Sequence, residues 1–294
     1  MPVPFNRIAV LGTGLIGGSC ALAVRTAFPG VSIAGWDRPD VLKRARSMGA
    51  INDAQPEFSS ALAGADLIFI ALPVGLTIER LPEIARLAPP AALVTDAAST
   101  KRLVCEAAET CFSGGAFFLG GHPMAGQERS GIDAADAAIF RGAKYALIGN
   151  ADGQGGRVVP LKDVRVAKFV ALLESIGARP LWLAAGTHDR AAAVVSHLPQ
   201  LLAVALAGVV HQQTDETGLP VTLAGRGLRD ALRLAGSPYA VWRDIVLTNS
   251  ENIEASLDRM IQEIDHLRTH LRRRELEEQF AVANEVYKIL HDLK

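Results

Sequence analysis

Over the first 184 residues of the chain, short apolar and β-branched runs alternate with stretches of helical apolar spacing. The runs are Arg7 to Gly12, Ser32 to Trp36, Leu67 to Leu72, Ala92 to Thr95, Phe117 to Gly120, Lys144 to Ile148 and Pro180 to Leu183. Between them lie patterns such as Leu76, Leu81, Ile84 and Leu87, which put one apolar face on a helix. Strand and helix alternating at this spacing predict an α/β fold built on a mostly parallel, doubly wound sheet. The glycine-rich segment Asn150 to Gly156 reads as a surface loop within that unit, because another helix and strand follow it. After Gly186 the strand signals stop and helical patterns run to the end. A first domain over 1–184 and an all-α second domain over 185–294 are therefore expected. Ile253, Leu257, Met260, Ile264, Leu267 and Leu271 recur at alternating four and three spacing, an apolar seam suited to another helix of the same chain or of a partner copy.

Composition narrows the function classes. Hydrophobic residues make up 49% and charged residues 21%, an ordinary globular balance. Thirty Lys and Arg against 31 Asp and Glu leave a net charge of -1, so no global basic field draws the chain to nucleic acid or an anionic membrane. Cys20, Cys105 and Cys111 are odd in number and lack Cys-x-x-Cys spacing, which argues against a disulfide framework and a structural zinc and fits a reducing, cytoplasmic setting. The longest uninterrupted apolar run, Leu201 to Val210, is shorter than the roughly 18 residues of a spanning helix, so no membrane segment is expected. The run of arginines at 272–274, beside Glu275, Glu277 and Glu278, reads as a solvated helix face.

The stretch Gly12-Thr13-Gly14-Leu15-Ile16-Gly17 follows the first strand and opens a helical pattern, the context in which a glycine motif becomes a dinucleotide fingerprint. Gly12 makes the tight turn, Gly14 admits a pyrophosphate close to the backbone, and Gly17 lets the helix lie on the strand. Asp37 stands twenty residues after Gly17 at the end of the second strand, where a carboxylate bonds ribose hydroxyls and repels a 2′-phosphate. NAD is expected over NADP, although Arg38 next to it suits either a 2′-phosphate or an adenine face. Ala71, Leu72 and Pro73 end the Leu67 strand and border the cofactor crevice.

Ser99 follows the Ala92 strand and reads equally as a helix cap or as a crevice residue. His122, among the glycines of Gly120 to Gly126, sits beyond another strand end and is matched to proton transfer near neutral pH. His188 and His197 are nine apart, so on a regular helix they face different sides and form no metal pair; no metal is expected. Each is either a core histidine or a site residue. Arg226, Arg229 and Arg233 share helical spacing and offer guanidiniums to a substrate with two carboxylates.

Together these segments resemble the prephenate and arogenate dehydrogenase family of tyrosine biosynthesis. The resemblance rests on the glycine fingerprint, Asp96 to Lys101, His122-Pro123-Met124-Ala125-Gly126, His188-Asp189 with Ser196-His197-Leu198-Pro199, and Arg229 through Trp242-Arg243-Asp244-Ile245. It implies NAD(P)-dependent oxidative decarboxylation of a small dicarboxylate and a helical second domain that forms a homodimer. It assigns His122 to the 4-hydroxyl proton and Ser99 to a bridge between His122 and the nicotinamide. Arg233 would bind a substrate carboxylate, and Arg229, His188, His197 and Gln200 would complete the substrate site. Many prephenate-using relatives have histidine where this chain has Gln200, which points to acceptance of arogenate. Two other readings stand beside this one. A β-hydroxyacid dehydrogenase or imine reductase generally needs a lysine on a second-domain helix, and none lies between Lys168 and Lys288. A non-catalytic NAD(H)-sensing protein would bind the dinucleotide without turnover.

Overall fold

Six parallel strands lie in the order β3-β2-β1-β4-β5-β6 in the computed structural model, which describes residues 4–126, 129–149, 163–272 and 275–292. They are β1 (Arg7–Leu11), β2 (Ser32–Trp36), β3 (Asp53–Ala54), β4 (Leu67–Ile70), β5 (Leu93–Asp96) and β6 (Phe117–Leu119). Side chains alternate along each strand, so β1 sends Ile8 and Val10 to one face and Ala9 and Leu11 to the other. The first face is covered by α1 (Leu15–Ala27) and α2 (Pro39–Ser47), the second by α3 (Phe58–Leu62), α4 (Val74–Leu87) and α5 (Arg102–Cys111). Burial on both faces explains why these strands read as continuous apolar runs. The strand order reverses direction between β1 and β4, and the carboxyl ends there open the crevice expected of such sheets.

The parallel sheet stops at β6, whereas the sequence pattern implied that one sheet continues. A second, three-stranded sheet holds β7 (Gly121–Pro123), antiparallel to β8 (Lys144–Ile148), and β9 (Arg179–Leu183), parallel to β8. Helix α6 (Val164–Ser175) connects β8 and β9. The departure occurs at Gly121, where an added Cβ would meet the Asp96 carbonyl oxygen at 2.8 Å, so the chain crosses β5 too closely for any side chain. Both β3 and β7 escape sequence reading because they are two or three residues long and lack the β-branched signature. Of the sequence expectations, the loop at 150–156 and the arginines at 273 and 274 lie outside the described residues.

The helical part begins with α7 (Ala185–Ala192), a π-helical turn (Ala193–His197) and α8 (Leu198–Gln213), which run on as one 29-residue stretch. Pro199 accounts for the wide turn: it has no N–H for the carbonyl four residues back, and its ring pushes that carbonyl away. The stretch is long and apolar enough to cross a membrane by length and composition, which corrects the expectation from the shorter run Leu201 to Val210. Yet its polar residues His188, Asp189, His197 and Gln200 are buried against protein. Then follow α9 (Leu219–Thr222), α10 (Arg226–Leu232), a 3-10 turn (Arg233–Gly236), α11 (Tyr239–Thr248), α12 (Ser250–His270) and α13 (Glu277–Asp292).

The contacts divide the chain into two compact units, Met1–Ser250 and Glu251–Lys294. In the first, Val194, Val204 and Val209 are exposed along the π turn and α8. In the second, Ile264, Leu267 and Leu271 of the apolar seam are exposed while Ile253 is buried, and Gln279 Nε2 lies 2.7 Å from His266 Nε2.

Candidate active site

The glycine loop between β1 and α1 is built as its sequence requires. Gly12 has φ +88°, a conformation L-residues rarely adopt, and a Cβ on Gly17 would sit 1.9 Å from the Gly12 carbonyl oxygen. Helix α1 has neither a side-chain cap nor an acidic residue in its first turn, leaving its N-terminal N–H groups for an anion. The side of Gly14 where a Cβ would stand is open. Asp37 accepts from the Thr13 backbone N–H at 2.7 Å and from the Arg38 N–H at 2.8 Å, which ties the carboxylate to the loop. Ala71 and Leu72 are half-buried beside Gly12, and Pro73 is exposed. A dinucleotide fits this arrangement: a free helix N-terminus for its pyrophosphate and a fixed carboxylate for its ribose.

A chain of buried hydrogen bonds runs from the α7 helix to His122, which lies on β7 rather than in a loop. The Asp189 carboxylate accepts from the Lys101 and Arg102 backbone N–H groups at 2.7 and 2.9 Å, capping α5 from a distance. Ser99 is therefore not the cap; Lys101 occupies that position. Asp189 also lies 2.8 Å from His188 Nδ1, and His188 Nε2 lies 2.9 Å from His122 Nδ1. Burial works to raise the Asp189 carboxyl, but the bonds from His188, Arg102 and Lys101 outweigh it and hold the group below its ordinary range. An ionised carboxylate only accepts, so His188 donates to it from Nδ1, and in the neutral ring Nε2 is then the acceptor. His122 must then donate from Nδ1, which leaves the Nε2 lone pair free as a base. Burial above all, with the neighbouring His188, Lys101 and His197 acting in the same direction, pushes His122 well below the usual histidine range and keeps it neutral.

The opposite side of His122 is held just as firmly. Lys101 and Asp96 form a fully buried ion pair; Lys101 Nζ donates to the Gly121 carbonyl at 2.8 Å and the Gly121 N–H donates to Asp96 at 3.0 Å. Both backbone polar groups of Gly121, the residue preceding His122, are thus held by charged partners, which makes it expensive to move.

A cavity of about 460 Å³ opens in front of these groups. The nucleotide half contributes Leu15, Ile16, Ala97, Ser99, His122 and Arg129; the helices contribute Ser196, Gln200, Arg233, Trp242 and Ile245. Gln200 is only 3% exposed yet lines the cavity. Arg233 begins the 3-10 turn after α10 and lines the wall, while Arg229 is exposed on α10 outside the lining. Of the two arginines that sequence spacing placed together, only Arg233, where the helix gives way to the 3-10 turn, lines the cavity.

His188 and His197 stand behind the wall rather than in it, contrary to their expected contact with substrate. They also do not diverge. The π turn adds one residue to the intervening turns, and both join one network: Asn249 Nδ2 donates to the Asp189 carbonyl at 2.8 Å and lies 3.1 Å from His197 Nδ1. Burial pushes His197 down to about 4, and the Trp242 ring meets it edge-on at 5.8 Å. Sequence reasoning missed the parts played by Asp189, Asn249 and the Asp96–Lys101 pair. A charged pair in the otherwise small and polar stretch from Asp96 to Lys101 was a signal for the last; Asn249 carries none.

A glycine loop at the reversal point of a parallel sheet, with a neutral, oriented histidine at the carboxyl ends, defines a nicotinamide-dinucleotide dehydrogenase. Comparison with known proteins narrows the class. The family model described as prephenate dehydrogenase, nucleotide-binding domain, matches residues 20–179, and that of the prephenate dehydrogenase dimerization domain matches 184–285. A prephenate dehydrogenase of Bacillus subtilis is 35% identical over 94% of this chain and 72% of its own length. The solved prephenate dehydrogenase of A. aeolicus, in complex with hydroxyphenyl propionate and NAD+, superposes with a TM-score of 0.86 at 25% identity, covering 98% of each chain. The arogenate dehydrogenase of Synechocystis gives 0.77 at 28% identity over 98% of this chain and all of its own. The chain belongs to the prephenate dehydrogenase family.

Proposed function

We propose that the chain oxidatively decarboxylates prephenate, arogenate or both in tyrosine biosynthesis. The single observation that carries this reading is His122, engaged through Nδ1 by His188 Nε2 at 2.9 Å and lining a cavity that Arg233 also lines. In the reaction the hydride leaves the ring carbon bearing the 4-hydroxyl for bound NAD, the ring carboxylate departs as CO2, and the ring becomes aromatic. His122 Nε2 accepts the hydroxyl hydrogen as that carbon loses its hydride, so electron density flows from the oxygen. The shared proton stays with the phenolic oxygen when turnover ends. Ser99 lines the same cavity, where its hydroxyl bridges His122 and the nicotinamide in this reading, and Arg233 binds a carboxylate. Asp37 favours NAD, since a 2′-phosphate would meet a carboxylate already fixed by two amides.

Gln200 supports acceptance of arogenate. A buried amide facing the cavity can accept from an ammonium through its oxygen, where a protonated histidine would repel it. A nucleotide-binding domain over 1–184 and a substrate and dimerisation domain over 185–294 is supported by family-model matches over 20–179 and 184–285, whereas the contacts divide the chain after Ser250. The exposed valines of α8 and the exposed seam of α12 suit a homodimer of these helices. A cytoplasmic location follows from a biosynthetic role and three free cysteines. Initial rates at 340 nm with each substrate and each cofactor test the reading. Turnover with NAD is expected; binding of NAD without turnover of either substrate refutes it in favour of a sensor.

A further inference from the structure

Helix α11 is a wall of the cavity, carrying Val241, Trp242 and Ile245. It packs on α4, and Ile245 enters the core on that face of the parallel sheet. Between Trp242 and Ile245 the chain places a buried carboxylate, Asp244, that faces away from the cavity, toward α4. Its Oδ2 accepts from the Gly75 N–H at 3.0 Å across 169 residues of chain. Gly75 is the second residue of α4, two after Pro73 at the cofactor crevice, and α4 has no side-chain cap of its own. Asp244 therefore caps α4 from another helix, where the dipole favours negative charge. The Arg243 guanidinium beside it, together with the Gly75 N–H, outweighs burial and holds Asp244 below the ordinary carboxylate range.

The fit is tight from both sides. A Cβ on Gly75 would meet Asp244 Oδ2 at 2.8 Å and its carboxyl carbon at 3.1 Å. Farther along α11, Thr248 Oγ1 bonds Thr100 Oγ1 at 2.8 Å, next to Ser99. The helix is thus pinned to the first turn of α4, just after β4, and to the segment after β5 that carries the cavity-lining Ser99.

We propose that Asp244 is a positioning residue: its bond to Gly75 latches α11 to the first turn of α4, directly after the cofactor-loop residues Ala71 to Pro73, and so sets the separation between the substrate wall and the hydride acceptor. Rate depends steeply on such a separation, because small misplacements of reacting groups cost orders of magnitude. The inference rests on the dehydrogenase reading above.

A double-mutant cycle tests it with Asp244→Ala, Gly75→Ala and the pair, read as kcat, as NAD affinity by protein fluorescence, and as melting temperature without ligands. Each single variant is expected to lower kcat about ten- to a hundredfold at temperatures well below melting, with NAD affinity within about threefold. In the Asp244→Ala background the second substitution should do no further harm, and it should raise the melting temperature, since alanine is the better helix residue once the clash is gone. Asp244→Asn keeps an oxygen for the Gly75 N–H and should recover most of kcat. Additive losses, or lowered melting temperatures with unchanged kcat, would overturn the latch. Absence of turnover in the unaltered enzyme would instead sink the catalytic reading, and the melting-temperature cycle would still decide whether the two residues act as one contact.

Discussion

Replacing His188 by phenylalanine tests whether the histidine relay sets the catalytic base. Phenylalanine fills a similar volume but offers no acceptor to His122 Nδ1, which now bonds His188 Nε2 at 2.9 Å. The His122 N–H would then be buried without a partner, a loss of about 1–3 kcal/mol. That cost falls on the tautomer that works, because a proton moved to Nε2 escapes it by facing the cavity. Converted to rate at about 1.4 kcal/mol per tenfold, kcat should fall by roughly 5- to 150-fold. NAD affinity should not change, since the glycine loop and Asp37 are untouched. Rates at 340 nm with saturating substrate measure the effect, and a thermal melt confirms that the variant is folded at assay temperature. His188→Gln, which can present an amide oxygen to His122, should recover part of the loss. A folded His188→Phe variant with kcat within about twofold of the unaltered enzyme would refute the tautomer argument.

Arg233→Ala should mainly raise KM, because a guanidinium that binds a carboxylate throughout the reaction contributes equally to ground and transition states; Arg229→Ala, outside the cavity, should be nearly silent, and the reverse pattern would show that the wall is misassigned. Asp37→Ala should shift the ratio of catalytic efficiencies toward NADP, and an unchanged ratio would remove Asp37 from cofactor choice. Acid should destabilise the fold through His197: the unfolded chain binds this proton near pH 6.5 and the folded chain only near 4, so stability is present above 6.5 and lost as pH falls through that window, by on the order of 3 kcal/mol. Denaturant titrations between pH 7 and 4 check it, and His197→Gln should flatten the slope.

The parts of this molecule legible in sequence are those whose cause is local. The glycine loop is one, because the φ of Gly12 and the packing of Gly17 are settled within six residues, and the buried strands β1, β4 and β5 are others. The relay behind His122 was not legible. It needs the π turn before Pro199 to bring His197 back toward Asp189, and it needs Asn249 from the far end of α11 to join them. A periodicity of 3.6 residues per turn placed the two histidines on opposite sides, and only the missing N–H of Pro199 hinted at the exception. Likewise Arg229 and Arg233 looked equivalent until the helix tightened at Arg233. The second sheet was hidden because its first strand is Gly121-His122-Pro123, and a strand of glycine and proline carries no strand signal.

The central claim is that His122 Nε2 is the base of the reaction, and His122→Asn tests it most directly. NAD binding and substrate affinity should be measured alongside single-turnover formation of NADH, with whichever of prephenate or arogenate the unaltered enzyme accepts. The account predicts that the variant folds and binds NAD as before while the single-turnover rate drops by about two to four powers of ten. A His122→Asn enzyme that reduces NAD at the unaltered rate would contradict it.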